Sequence, residues 1–79
     1  MKNVIVIQEV DQEDKIVIGV ASNREKALEL IDEYYGEYKS KDFQDIRKDN
    51  IDFVVTIVVE GYLGGTYNVI GECFFIDSI

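Results

Sequence analysis

Glutamate recurs at every fourth position of the segment SNREKALELIDEYYGEY, at Glu25, Glu29, Glu33 and Glu37. Four residues of α-helix rise about 6 Å, so a helix here would set the first three of these carboxylates along one edge. Like charges four residues apart repel each other by roughly a few tenths of a kcal/mol, which a helix selected for stability alone would avoid. Helices with a merely solvated acidic face are common, so the row by itself favours an ordinary solvated face, with a surface for a basic partner as the alternative.

The density of charge in that row decides whether it could mimic the phosphate backbone of a nucleic acid. Each strand of a DNA duplex carries one charge per about 3.4 Å of axis, so a single edge at about 6 Å is too sparse to match it. Acids beside the row and in the first predicted hairpin would raise the density if the fold brings them to the same side. The candidate partner-binding residues are Glu9, Asp11, Glu13, Asp14, Glu25, Glu29, Asp32 and Glu33.

The other residues that could be catalytic or could bind a ligand lack the neighbouring residues that such sites require. The chain has no histidine, so Cys73 and the serines have no histidine base to activate them. The segment DQED at 11–14 lacks the ligand spacing of a calcium loop, and Gly61, Gly64 and Gly65 lack the following lysine of a phosphate-binding loop. We therefore expect no enzyme, no cofactor and no metal site. A small enzyme that uses carboxylates and a metal is the weakest alternative.

Composition narrows the class of protein and of partner. The 79 residues, 47% of them apolar, suffice for one domain with one core, expected to span residues 1–79. Sixteen acidic residues against eight basic ones give a net charge of -8, which disfavours direct binding of nucleic acid. One cysteine excludes an internal disulfide, and the N-terminal apolar run is too short for a signal peptide or a membrane span. We expect a soluble cytoplasmic protein without a membrane partner.

The elements that would position the glutamate row begin with a hairpin. Residues 4–10 and 15–21 are β-branched runs separated by a short polar loop, which predicts two antiparallel strands. Ser22 and the glutamate three residues later form a capping box, so we expect a helix to begin at Ser22 or Asn23. Apolar residues at spacings of three and four follow, and Gly36 is expected to end the helix.

The second half of the chain predicts another hairpin. Residues 37–50 are mostly polar and are expected to form at most a short amphipathic turn of helix. Residues 51–60 and 66–76 are strand-like runs joined by a glycine-rich loop. The predicted fold is α+β with the order ββαββ, a four-stranded antiparallel sheet with one main helix packed on one face.

Alternation along the last two strands gives this sheet two apolar faces. One face is expected to carry Phe53, Val55, Ile57, Val59, Val69, Cys73 and Phe75. The opposite face would carry Val54, Val58, Ile70, Phe74 and Ile76. Because large exposed apolar patches are uncommon on monomers, we expect residues 37–50 or a second chain to cover this opposite face. A homodimer that assembles through these five residues is therefore possible on this pattern.

The segment KIVIGVASNREKALELIDEYY, at 15–35, resembles a strand, cap and helix pattern found in small uncharacterised acidic proteins of Gram-positive bacteria and their phages. This chain has Ala21 where that pattern usually carries phenylalanine. The resemblance implies no catalytic residues. It implies a setting in which small acidic cytoplasmic proteins of mobile elements bind and block a host protein.

Two functions follow as expectations from these observations. The first is a non-enzymatic acidic binding module, a phage-type inhibitor that occupies a basic, nucleic-acid-handling surface of a larger protein. The second is a structural or assembly protein that self-associates through the second face of its sheet. Salt dependence separates the two functions, because charge-driven complexes weaken with salt and apolar dimers do not.

Overall fold

The computed structural model describes residues 2–11, 13–61 and 64–76, with the backbone alone at residues 2 and 76. Its elements form one antiparallel sheet of five strands in the order β2-β1-β5-β4-β3, with one helix packed against it. The α+β class predicted from the sequence is confirmed. The elements are β1 (Lys2–Val10), β2 (Lys15–Ala21), α1 (Arg24–Tyr35), β3 (Ser40–Lys48), β4 (Ile51–Val59) and β5 (Gly65–Ile76).

The predicted number of strands was wrong, because the segment expected to be a turn of helix is β3. This strand pairs along its length with β4, and all nine of its residues are exposed. An edge strand has one neighbour, so its residues need not be apolar, and propensity alone does not reveal it. The turn that follows does carry a sequence signal. Asp49 and Asn50 have φ angles of 54° and 69°, as a two-residue hairpin loop requires.

The first hairpin and the helix lie close to where the sequence predicts them. Asn23 caps α1, and its Oδ1 accepts the N–H of Lys26 at 2.8 Å. The capping box expected from Ser22 and Glu25 was therefore wrong by one residue, because asparagine is as good a cap as serine. Gly36 ends the helix as predicted: its φ is 65°, and its N–H donates to a carbonyl of the last helical turn.

The core lies between α1 and one face of the sheet. Ala27 and Ile31 of the helix are fully buried against that face, as is Phe53 of β4. Phe53 lies opposite Gly71 of β5, where an added Cβ would lie 2.3 Å from the phenylalanine ring. The glycine thus makes room for the largest buried side chain. The core residues are Ile5, Ile7, Ala21, Ala27, Ile31, Phe53, Val55, Ile57 and Val69.

The opposite face of the sheet is left uncovered by the described helix. The expectation that residues 37–50 cover it was wrong, because β3 extends the sheet instead of lying over it. Phe74 on this face is 43% exposed. Phe75 was expected to face the helix, yet it is 68% exposed and lines the same groove as Phe74. The described residues contain no helix long and apolar enough to cross a membrane.

Candidate functional site

The acidic side of the molecule is formed by the helix and the first hairpin. α1 runs back along β2, with Leu30 against Gly19, so its last turn reaches the end of β1. There the hydroxyl of Tyr35 donates a hydrogen bond to the carboxylate of Glu9. The hairpin turn that carries Asp11, Glu13 and Asp14 therefore lies near the C-terminal end of the helix in space. Glu25, Glu29 and Glu33 are exposed along the helix.

The opposite flank of the helix has its charges paired. Arg24 Nε lies 2.8 Å from Asp52 Oδ2, and Arg24 Nη2 lies 3.0 Å from Asp45 Oδ1. The hydrogen bond to Asp52 raises the pKa of Arg24, and the Asp45 carboxylate adds to it. Lys41 Nζ lies 2.9 Å from Asp32 Oδ1, and this contact raises the pKa of Lys41.

No ion pair joins the glutamate row to a basic side chain within the described part of the chain. Ion pairs with acids outside the row engage four basic side chains, those of Arg24, Lys39, Lys41 and Arg47. Lys26 is the basic residue nearest to the row, and it lines the same groove as Glu29 and Glu33. Hence Glu25, Glu29 and Glu33 retain most of their negative potential toward solvent.

Asp32 and Glu9, both predicted to bind a partner protein, accept hydrogen bonds from side chains of this protein. Asp32 accepts from Lys41 and from the hydroxyl of Tyr38 at 3.2 Å. Glu9 accepts from Tyr35, and burial together with that hydrogen bond raises the pKa of Tyr35 well above its ordinary value. Asp32 and Glu9 therefore hold the helix to the sheet. Neither contact could be predicted from sequence spacing, because each joins the helix to a residue of another segment.

A groove of about 530 Å³ runs over the uncovered face at the β2 side of the sheet. Its floor contains a polar pair, in which Gln8 Nε2 donates to Glu72 Oε1 at 3.0 Å. Gln8 is almost fully buried, so this bond satisfies an amide that would otherwise be costly to bury. The remaining lining is apolar. It consists of Val4, Val6, Val17, Val20, Phe74 and Phe75.

Val20 connects this groove to the acidic side. It also lines a second groove, of about 370 Å³, between the β2 edge and the helix row. Val17 and Val20 share the uncovered face although they are three residues apart, because the pairing of β1 with β2 shifts at Ile18. The sequence analysis missed both valines, since strict alternation does not put them together. The second groove is lined by Val20, Ala21, Ser22, Lys26, Glu29, Leu30 and Glu33.

Four of the five predicted self-association residues fall on the uncovered face as expected. Val54 pairs with Ile70 across β4 and β5, and Val58 lies further along β4. Phe74 lies over the β1 side and is the one of the four that lines the groove. The side chain of Ile76 lies outside the described residues. Between Val54 and Val58 this face also carries a polar pair, Thr56 and Asn68.

Cys73 shows the environment of a packing residue. Burial raises the pKa of its thiol, so the reactive thiolate is scarce at neutral pH. Its N–H donates to the carbonyl of Asn50 at 2.7 Å, which fixes the backbone beside the core. Within residues 2–11, 13–61 and 64–76, no group of three or more carboxylate, thiol or imidazole side chains could hold a metal ion.

Comparisons with protein-family models, with curated proteins and with solved structures found no match to this chain. The arguments for function therefore rest on the geometry and the charge described above.

Proposed function

We propose that this protein is a non-enzymatic binding module whose acidic side occupies a basic surface of a larger protein. The observation that carries the proposal is the asymmetry of charge about α1. On one flank Arg24 and Lys41 neutralise the neighbouring acids, while on the other flank Glu25, Glu29 and Glu33 have no basic partner among the described residues.

The kind of partner follows from the sign and spread of this charge. The hairpin acids extend the row beyond the helix end, and the whole chain carries a net charge of -8. Such a field attracts a broad positive surface and accelerates encounter with it. Proteins that handle nucleic acid present surfaces of that kind, because they must neutralise phosphates. A phage-type inhibitor that blocks such a surface is the form of the function that we favour.

The experiment compares two triple variants that remove equal charge from different sides. The test variant is Glu25→Gln, Glu29→Gln and Glu33→Gln. The control variant changes three exposed acids of the β3 and β4 side, and consists of Asp42→Asn, Asp49→Asn and Glu60→Gln. Each variant is titrated with poly-L-lysine at two salt concentrations, and circular dichroism checks the helix.

The test variant should keep its helix, because glutamine is a good helix former and repulsion along the row is relieved. We expect its affinity for polylysine to fall about ten-fold and to depend less steeply on salt. The affinity of the control variant should fall clearly less. Equal losses in the two variants would mean that only net charge matters. That result would remove the helix row from the proposal.

Self-association through the uncovered sheet face is the second candidate function. It is favoured by the exposure of Phe74 in the apolar groove, and by Val54 and Ile70, which pair further along the same face. Light scattering across a range of concentrations tests it directly, with Phe74→Asp as the variant. A dimer that persists at high salt and dissociates in the variant would support this candidate, and a monomer at all concentrations would exclude it.

A further inference from the structure

The two edges of the sheet differ in how well they are protected from pairing with another strand. β3 carries charges along its length, which is a common way to prevent unwanted pairing. β2 has the sequence KIVIGVA, with its one charge at the first residue. Because β2 is an outer strand of the sheet, one side of its backbone has no neighbouring strand among the described residues. Its open N–H and C=O groups are therefore available to a further strand.

Both faces beside this edge carry side chains that a further strand would meet. On the uncovered face, Val17 and Val20 are 61% and 55% exposed. On the helix face, Glu29 and Glu33 line the groove that begins at Val20. An extended segment directs alternate side chains to opposite faces, so a segment at this edge would meet valines on one face and glutamates on the other.

We propose that the β2 edge binds an extended segment of a partner protein in which apolar residues alternate with lysine or arginine. The segment adds to β2 as a sixth strand. Its apolar side chains lie beside Val17 and Val20, and its basic side chains lie over Glu29 and Glu33. The sign of the partner's charge rests on the proposed function, whereas the strand-like binding mode is independent of it.

A second copy of this chain fits the same edge poorly. Pairing of two β2 strands about a two-fold axis would bring two acidic helix rows together, with Lys26 as the basic residue between them. The bulge at Ile18 also interrupts regular pairing between two identical strands. A basic segment of a partner avoids the charge repulsion, and it can pair with β2 on both sides of the bulge without bringing a second identical bulge to the edge.

The test uses a short blocked peptide in which valine alternates with lysine. Two further peptides carry backbone N-methyl groups, one on every valine and the other on every lysine. Only one edge of a bound strand faces β2, so one methylated peptide should bind nearly as well as the parent and the other about ten-fold more weakly. Hydrogen exchange measured by NMR should slow at the β2 amides and not at those of β3.

Variants of the protein locate the site. Val17 and Gln44 lie on the same row of the uncovered face, at opposite edges of the sheet. Val17→Lys should lower the affinity for the parent peptide about ten-fold, and Gln44→Lys should change that affinity far less. Lys26→Gln should strengthen binding, since it removes the like charge from the acidic groove.

The outcomes separate this inference from the proposed function. If both methylated peptides behave alike, or if Val17→Lys has no effect, strand addition is wrong, and a loss of binding in the Glu25, Glu29 and Glu33 variant would still support an acidic binding module. Failure of the parent peptide to bind overturns the inference. Concentration-dependent protection of the β2 amides without peptide would place a second copy at the edge and also overturn it.

Discussion

The two faces of the sheet are built from the same strands, and both carry apolar side chains. On the helix face, Phe53 lies across Gly71 and is completely buried beneath α1. On the other face, Phe74 lines a mostly apolar groove and is 43% exposed. Among the described residues, the core therefore forms on one of the two apolar faces. The described side chains of the other surface are mostly half-buried or exposed, so this surface contributes less to stability than the helix face does.

The polar contacts of the two faces follow the same division. On the helix face, Tyr35 and Arg24 join the helix to acids of the sheet, so their hydrogen bonds fix tertiary structure. On the uncovered face, Gln8 bonds to Glu72 of the neighbouring strand, which holds nothing over the sheet. The helix thus covers one face through apolar packing and through charged hydrogen bonds. No described element makes such contacts over the other face.

The largest expected effect comes from truncating the same residue type on each face. Phe53→Ala should lower the free energy of unfolding by about 3–5 kcal/mol, because it leaves a cavity in the core. Phe74→Ala should lower it by about 1 kcal/mol or less, since much of that side chain is already in water. Urea denaturation of both variants gives the comparison. Similar losses in the two would mean that the uncovered face contributes to folding after all.

A smaller effect tests how tightly the helix face is packed. In Gly71→Ala the new Cβ would lie within 2.3 Å of the ring of Phe53, which is buried and has little room to move. We expect a loss of about 1–3 kcal/mol in the free energy of unfolding. Phe53→Leu in the same background should recover part of it. Wild-type stability of the single variant would contradict the close contact.

Much of the fold could be predicted from the sequence, and the misses have physical causes. Strands β1, β2, β4 and β5 show β-branched runs, and α1 shows helical spacing with a glycine at its end. The apolar signal fails for β3, because its residues are exposed and its pairing with β4 is a tertiary effect. The local signal for β3 lies in Asp49 and Asn50, which form the two-residue turn between β3 and β4.

The candidate site could be predicted less completely. Spacing placed Glu25, Glu29 and Glu33 on one exposed side. It could not show that Asp32 and Glu9 bond to residues of other elements. The groove around Val17 and Val20 could not be predicted from the sequence either. A bulge shifts the alternation on which the assignment of side chains to faces depends.

The smallest expected effect concerns the end of the helix face, where Tyr35 bonds to Glu9. Tyr35→Phe removes one hydrogen bond at a partly buried site, so we expect a loss of about 1 kcal/mol at neutral pH. Gln8→Met is the matching change on the uncovered face, because it removes the amide that donates to Glu72. It should have no comparable dependence on alkaline pH, since the glutamine amide does not titrate.

The sign of the pH dependence follows from the raised pKa of Tyr35. Its folded-state pKa lies above the unfolded value of about 10, so the folded protein binds this proton more tightly than the unfolded chain does. The stabilisation is complete below about pH 10 and is lost as the pH rises further. The wild type should therefore be more stable than Tyr35→Phe at pH 7 and lose that advantage by about pH 11. Denaturation curves of both proteins at several alkaline pH values measure the difference, in which the titration of their shared groups largely cancels. A constant difference across this range would mean that the hydroxyl of Tyr35 is neither buried nor held by Glu9.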